Sequence, residues 1–166
     1  MYNNKTILIT GGTGSLGKAL TKKIFYRHPK IGKIIVFSRD EQKHFQMRQE
    51  FPSEKFQNLE FIIGDVRDLQ SLKSAFNKVD YVIHAAAMKH VHLSENNPEE
   101  CIKTNVGGAQ NVIKAAQETR VTNIVALSTD KACAPVNLYG ATKLTSDKLF
   151  IAANNNKNSG IKFSVV

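Results

Sequence analysis

Cysteine is scarce in this 166-residue chain: Cys101 and Cys133 are too few for a disulfide framework, which argues against a stapled secreted scaffold. No uninterrupted apolar run approaches the roughly 18 residues of a membrane-spanning helix, so no span is expected. The N-terminus enters an apolar strand pattern almost at once, with no charged leader, apolar h-region or small-residue cleavage site. With so little cysteine, this reads as a protein of the reducing cytoplasm. Basic residues outnumber acidic ones, 23 to 14, for a net charge of +9. The lysines nevertheless scatter over predicted helix faces (Lys18, Lys22, Lys23, Lys43, Lys73, Lys114) and form no dense basic stripe interleaved with aromatics. That argues against nucleic-acid binding and leaves an anionic substrate or cofactor as the simpler partner, steered by a positive field. Internal repeats are absent, and only Asn154 to Gly160 reads as a low-complexity, flexible loop. His90 and His92 alternate like a metal pair but have no nearby third ligand; no metal site is expected, and they read as lining a polar loop.

What is present is a regular alternation of apolar runs and amphipathic segments. It predicts strands near 6–10, 33–38, 59–63, 80–84, 123–128 and 162–166, and helices near 15–27, 40–50, 68–77, 98–119 and 138–154. Four of the strands are short, near-continuous apolar runs, as expected of a parallel sheet covered on both faces. The expected fold is therefore α/β, a doubly wound parallel sheet forming one domain over 1–166. Asn97-Pro98-Glu99-Glu100 reads as the start of the fourth helix, with Asn as its cap and Pro at its first position. Val106, Ala109, Val112, Ile113 and Ala116 would face the sheet, and Gly107 with Gly108 implies close packing or close ligand approach.

After the first strand comes Thr10-Gly11-Gly12-Thr13-Gly14-Ser15-Leu16-Gly17, where glycines 12, 14 and 17 fit G-x-G-x-x-G and 11, 14 and 17 the wider G-x-x-G-x-x-G. Read as a strand, a tight loop and a helix, this is the Rossmann arrangement that sets a pyrophosphate against free N–H groups at a helix N-terminus. Gly11, Thr13, Gly14, Ser15, Leu16 and Gly17 are its candidate residues; a plain glycine turn is the alternative. The second strand ends in Ser38-Arg39-Asp40, where an adenosine ribose would lie. A Ser and an Arg suit a 2′-phosphate, so NADP is expected over NAD, with Arg39 as charge partner and Ser38 and Lys43 assisting. Asp40 opposes this unless it turns away as the cap of the next helix, and an exposed, solvated Arg39 is the bland reading. Asp65 and Val66 follow the third strand, with Asp65 placed to accept from an adenine amino group. Ala85, Ala86 and Ala87 follow the fourth, small enough for a cofactor to approach the backbone.

The richest stretch runs from Ser128-Thr129-Asp130-Lys131 to Tyr139-Gly140-Ala141-Thr142-Lys143. It puts a hydroxyl, a carboxyl and an amine at a strand end, shortly before a tyrosine and a lysine that share a helix face at i,i+4. An ammonium beside a phenol stabilises the phenolate, so Tyr139 with Lys143 is a candidate proton acceptor for an alcohol. Tyr-x-x-x-Lys alone also arises by chance, and Asp130-Lys131 alone could be an exposed ion pair. The Gly-rich loop at the other end of the chain gives the pair its weight.

With these motifs in place, the sequence resembles the extended short-chain dehydrogenase/reductases. More narrowly it resembles the inverting UDP-N-acetylglucosamine 4,6-dehydratases of bacterial pseudaminic acid and surface-polysaccharide biosynthesis. The resemblance is carried by Ile7 to Ser15, Ser38-Arg39-Asp40-Glu41, Gly64 to Leu69, His84-Ala85-Ala86-Ala87, Lys103-Thr104-Asn105-Val106, Ala126 to Ala132 and Asn137 to Lys143. Thr129-Asp130-Lys131 is its narrowest element, since retaining dehydratases carry Glu where Lys131 stands. Long membrane-anchored relatives carry Met at the position of Tyr139. The family usually has Asn where Ala134 stands and Pro where His92 stands.

The resemblance implies a lyase acting on a UDP-sugar through transient hydride transfer to NADP. Tyr139, assisted by Lys143, would take the 4-hydroxyl proton, Lys131 the carbon 5 proton, and Asp130 would protonate the departing 6-hydroxyl. For those roles the surroundings should bring a neutral lysine and a protonated aspartic acid, their pKa values pushed toward each other. Asn105 would belong to the cofactor site, Lys89 would serve pyrophosphate and nicotinamide, and Lys89, Ser128 and Thr129 would meet the substrate. Thr129 would bond the hexose or Tyr139. The family continues past Val166 with a substrate domain, so the chain is expected to be truncated before it, weak in cofactor binding alone, and homo-oligomeric in the longer form. A non-catalytic NADP-binding module, an inactive fragment and a related nucleotide-sugar epimerase are the alternatives, with a basic scaffold protein a distant one.

Overall fold

Apolar runs with strand-like periodicity become six parallel strands in the computed structural model, which describes residues 2–156 and 160–166. Positions 157–159 of the expected 154–160 loop lie outside the described residues. The strands are β1 (Thr6–Thr10), β2 (Lys33–Ser38), β3 (Leu59–Ile63), β4 (Tyr81–His84), β5 (Asn123–Ala126) and β6 (Lys162–Val165), in the order β3-β2-β1-β4-β5-β6. Parallel register pairs Leu8 with Ile35 and with Val82, and Ile124 with Phe163, so successive residues alternate between two covered faces.

One face packs against α3 (Leu69–Ala75), α6 (Gly108–Gln117) and α7 (Leu138–Ala153), in a core that includes Leu8, Phe37, Leu72, Val112, Ile124 and Phe150. The other face packs Ile7, Ile9 and Ile34 against Leu20 and Ile24 of α1 (Ser15–Arg27), and Val36 against Met47 of α2 (Glu41–Glu50). This is the doubly wound fold. Strand order reverses between β1 and β4, and ligands of such sheets bind outside the carboxyl ends of the strands there.

The helix expected over 98–119 is interrupted. It divides into α5 (Pro98–Ile102), a π-helical turn (Lys103–Gly107) and α6, preceded by a short α4 (Val91–Asn96). His90 and His92, read as a polar loop, stand at the start of α4. The extra residue of a π turn is costly unless side chains exploit it. Here the turn buries Asn105, whose amide accepts from Met88 N at 2.8 Å and donates to Met88 O at 2.9 Å and to Thr142 Oγ1 at 3.0 Å. Gly108 follows because a Cβ there would meet Val66 Cγ2 at 2.8 Å. Within α6, Ala109, Val112 and Ala116 are buried with Ala115, whereas Ile113 is only partly buried.

Close approach at the first loop is steric. A Cβ on Gly17 would lie 2.1 Å from Gly12 O, and one on Gly14 would meet only Gly11 O at 3.3 Å. Gly17→Val is therefore expected to cost about 3 kcal/mol and lower Tm by roughly 6–12 °C, and Gly14→Ala far less, as read by thermal denaturation. Equal Tm values for the two variants would contradict this packing.

Candidate functional site

A cleft of about 280 Å³ opens at the carboxyl ends of β1, β2 and β4. Gly11, Thr13, Gly14, Ser38, Arg39, Asp40, Lys43, Val66, Ala85, Ala86, Ala87 and Lys89, all marked from sequence, line it. Phe37, Gly64 and Thr104 also line it; the strand-end position of the first two was the available signal. Gly11 has φ +66°, and a Cβ there would sit 2.8 Å from Ala86 N, so the first loop and the β4 loop meet backbone to backbone at the cleft floor.

Helix caps distinguish the first three strand-to-helix turns. Asp40 caps α2 by accepting from Lys43 N at 2.9 Å, and Asp68 caps α3 by accepting from Gln70 N and Ser71 N. α1 begins at Gly14 with no side-chain cap and no acidic residue in its first turn. Its N-terminal N–H groups are therefore left to an anion. Ser15 and Leu16 are exposed there, and Gly17 is buried beneath them.

At the end of β2, Arg39 is exposed and reaches Asp65 Oδ2 at 3.6 Å, while Asp40 turns to its helix as a cap. The N–H of Lys43, and then its ammonium, hold Asp40 below its usual range, so it stays anionic. Asp65 does not line the cleft; Arg67 takes its carboxylate through Nε at 2.9 Å and Nη2 at 2.7 Å. Burial raises the Asp65 pKa, but Arg67 and Arg39 outweigh it and hold the group low. Ser38 Oγ lies 3.0 Å from Thr13 Oγ1 and 2.9 Å from Nε2 of the buried His44, a partner that sequence reasoning missed.

The catalytic candidates assemble next to this cleft. Beyond β5 the chain turns through a single 3₁₀ turn, Asp130–Ala132, capped by Thr129. Thr129 donates to Asp130 Oδ1 at 2.9 Å and not to Tyr139. Asn137 caps α7 by accepting from Gly140 N at 2.8 Å, and a Cβ on Gly140 would lie 2.1 Å from Lys131 O. Backbone contact thus sets the Asp130–Lys131 turn on the first turn of α7. Tyr139 is 9 % and Lys143 5 % exposed. The Lys143 ammonium donates to Leu127 O, and the Ser128 hydroxyl donates to Asp147, one helical turn beyond Lys143. Burial lowers the Lys143 pKa, and the charge of Asp147 pulls it back up. Ser128 is thus turned toward Asp147. Asn105 stands behind the cleft and does not line it, tying the Met88 backbone to Thr142 beside Lys143.

One expectation is overturned. Asp130 and Lys131 form an exposed ion pair, Nζ to Oδ1 3.3 Å, and the Thr129 hydroxyl followed by the Lys131 ammonium holds Asp130 below its ordinary range. With no burial to disfavour charge, the aspartic acid is ionised rather than held as an acid. Among the described residues no cluster of three or more metal-ligating side chains occurs, and no helix is long and apolar enough to cross a membrane.

Residues 7–166 match the model of the family described as polysaccharide biosynthesis protein. The chain is 59 % identical over 166 residues to the inverting UDP-N-acetylglucosamine 4,6-dehydratase of Campylobacter jejuni subsp. jejuni serotype O:23/36 (strain 81-176), covering 99 % of this chain and 48 % of that one. It is 45 % identical over 162 residues to UDP-glucose 4-epimerase of Rickettsia prowazekii (strain Madrid E), covering 96 % and 47 %. The X-ray structure of Pen from Bacillus thuringiensis superposes with TM-score 0.91 at 41 % identity, covering 98 % of this chain and 48 % of that one. The chain spans about half the length of the curated relatives it matches.

Proposed function

The chain belongs to the polysaccharide biosynthesis protein family, and on that premise we propose that it forms the cofactor-binding and proton-transferring half of a UDP-N-acetylglucosamine 4,6-dehydratase that inverts carbon 5. The observation that carries the reading is the contact of the Asp130–Lys131 turn with the first turn of α7, which groups a base, an acid and the Tyr139–Lys143 pair at one strand end. Lys131, rather than an acidic residue, at the base position favours the inverting class.

NADP is the proposed cofactor. The uncapped N-terminus of α1 and the Gly11–Ala86 contact leave room for a pyrophosphate at Thr13 and Gly14, and Arg39, Lys43 and Ser38 suit a 2′-phosphate. When bound, NADP would supply the reversible hydride chemistry that substrate carbons 4 and 6 require. Tyr139 accepts the 4-hydroxyl proton, its phenolate favoured by the Lys143 charge, and Lys143 is held in place by Leu127 O and Asp147. Lys131 takes the carbon 5 proton and Asp130 gives one to the departing 6-hydroxyl. Both roles need the ion pair neutralised first: a covering substrate disfavours the two charges by desolvation, so the ammonium proton of Lys131 passes to Asp130 and leaves an amine base beside a carboxylic acid. Thr129, released from Asp130, and Lys89 at the cleft rim meet the sugar nucleotide.

The test is a chimera of residues 1–166 with the C-terminal half of the Campylobacter relative, supplied with NADP and UDP-N-acetylglucosamine. A 4-keto-6-deoxy product is expected. A carbon 4 epimer that keeps its 6-hydroxyl would favour the epimerase reading instead, and a folded, cofactor-binding chimera that forms neither would sink the proposal. Arg39→Asp is expected to weaken NADP binding about tenfold or more with NAD little changed, as read by titrating both; a wild-type chain that binds NAD as tightly as NADP would refute the cofactor assignment.

A further inference from the structure

We propose that His44 is a positioning residue for cofactor choice: its ring fixes the Ser38 hydroxyl as a hydrogen-bond donor facing the cleft, where a ribose 2′-phosphate would accept it. The inference rests on the NADP reading above.

His44 sits on α2, 3 % exposed, with its ring edge-on to Phe61 at 5.6 Å. Its Nε2 lies 3.1 Å from the Ser38 carbonyl, which can only accept, so Nε2 carries the hydrogen. The same N–H is 2.9 Å from Ser38 Oγ, which therefore accepts from it. The serine's own proton is left to donate. Thr13 Oγ1, at 3.0 Å, is its partner in this structure, and Ser38, Thr13, Arg39 and Lys43 all line the cleft. A serine hydroxyl free to rotate can turn its lone pairs toward an anion; one that already accepts from His44 presents its proton instead, and Thr13 can rotate to donate to Ser38 when an anion arrives.

The other nitrogen of the ring is consistent with a role for His44 beyond filling space. Nδ1 is buried with no hydrogen-bond partner among the described residues, a cost that an apolar residue of similar size would avoid. Burial holds the imidazole below its ordinary pKa, which keeps it in the neutral form that this tautomer needs.

The experiment measures Kd for NADP and for NAD with the wild-type chain, His44→Leu, His44→Gln, Ser38→Ala and the His44→Leu/Ser38→Ala double variant. The NADP-to-NAD preference is expected to fall about five- to tenfold in His44→Leu with NAD binding unchanged. His44→Gln, whose amide can still donate, should restore most of it. The double variant should lose no more than Ser38→Ala alone, because His44 acts only through Ser38. A wild-type preference that survives in His44→Leu, or a parallel loss of both cofactors, overturns the proposal while leaving the NADP reading intact. A wild-type chain without NADP preference fails that reading and this one with it. Should His44→Leu not fold, ¹⁵N NMR of the wild-type ring decides: hydrogen on Nε2 is expected, and hydrogen on Nδ1 alone would overturn the assignment.

Discussion

Lys131→Ala in the chimera is expected to lower kcat about 10²–10⁴-fold, the range for loss of a positioned proton-transfer group, with the Kd of NADP unchanged. Lys131 stands on the 3₁₀ turn after β5, exposed and paired to Asp130, and does not line the cleft proposed to hold the cofactor. Its loss should therefore touch substrate chemistry alone. Solvent deuterium should cease to enter at carbon 5, while the 4-hydroxyl proton is still removed by Tyr139. Tyr139→Phe differs, because it should stop the first oxidation and leave no reduced cofactor in a single turnover. Removing both residues should cost little more than Tyr139→Phe, since carbon 5 is acidified only after carbon 4 is oxidised. Normal deuterium exchange at carbon 5 in Lys131→Ala would refute the role given to that lysine.

A second large effect is expected in acid. His84, at the end of β4, is fully buried, and burial followed by the charge of Lys143 lowers its pKa to about 3 from an ordinary 6.5. The geometry gives the reason. Thr10 Oγ1 receives N–H bonds from Ala85 at 3.2 Å and Ala86 at 3.3 Å, so its own proton goes to His84 Nδ1 at 2.8 Å, which must offer a lone pair. The unfolded chain takes up a proton near pH 6.5 and the folded chain does not, so stability is full above that pH and falls as pH drops toward 3. Between pH 7 and about 4.5, before most carboxylates titrate, the loss from this group should be about 2–3 kcal/mol. Urea unfolding of wild type and His84→Gln over that window should show the steeper decline in wild type. Parallel pH profiles would mean that His84 charges in place.

Much of the fold was legible in short windows of sequence. Four of the six strand-length runs were near-continuously apolar and pointed to a parallel sheet, because strands buried on both faces leave little room for polar alternation. The spacing of Gly11, Gly12 and Gly17 specified the first loop, since a backbone needing φ > 0 or approaching within 3 Å of another admits no Cβ. Asp40 as a cap and the shared face of Tyr139 and Lys143 were equally local, set by capping and by helical period.

Packing decided what those windows could not hold. Asn105 looked like an interior residue of a long helix, and only contact with Met88 and Thr142 makes a π turn worth its cost there. Asp130 was expected to be held as an acid, but desolvation is a property of surroundings, and its surroundings are solvent. The bonds of His44 to Ser38, of Ser128 to Asp147 and of Thr10 to His84 depend on where side chains on different elements come to rest. Sequence by itself determined the strands, the helices outside residues 91–117, their order and the residue types at each strand end, since those obey backbone sterics and periodicity. Which of those side chains bond one another, and with what charge, was decided by tertiary structure, because hydrogen bonding and desolvation act across distances that the chain's order does not encode.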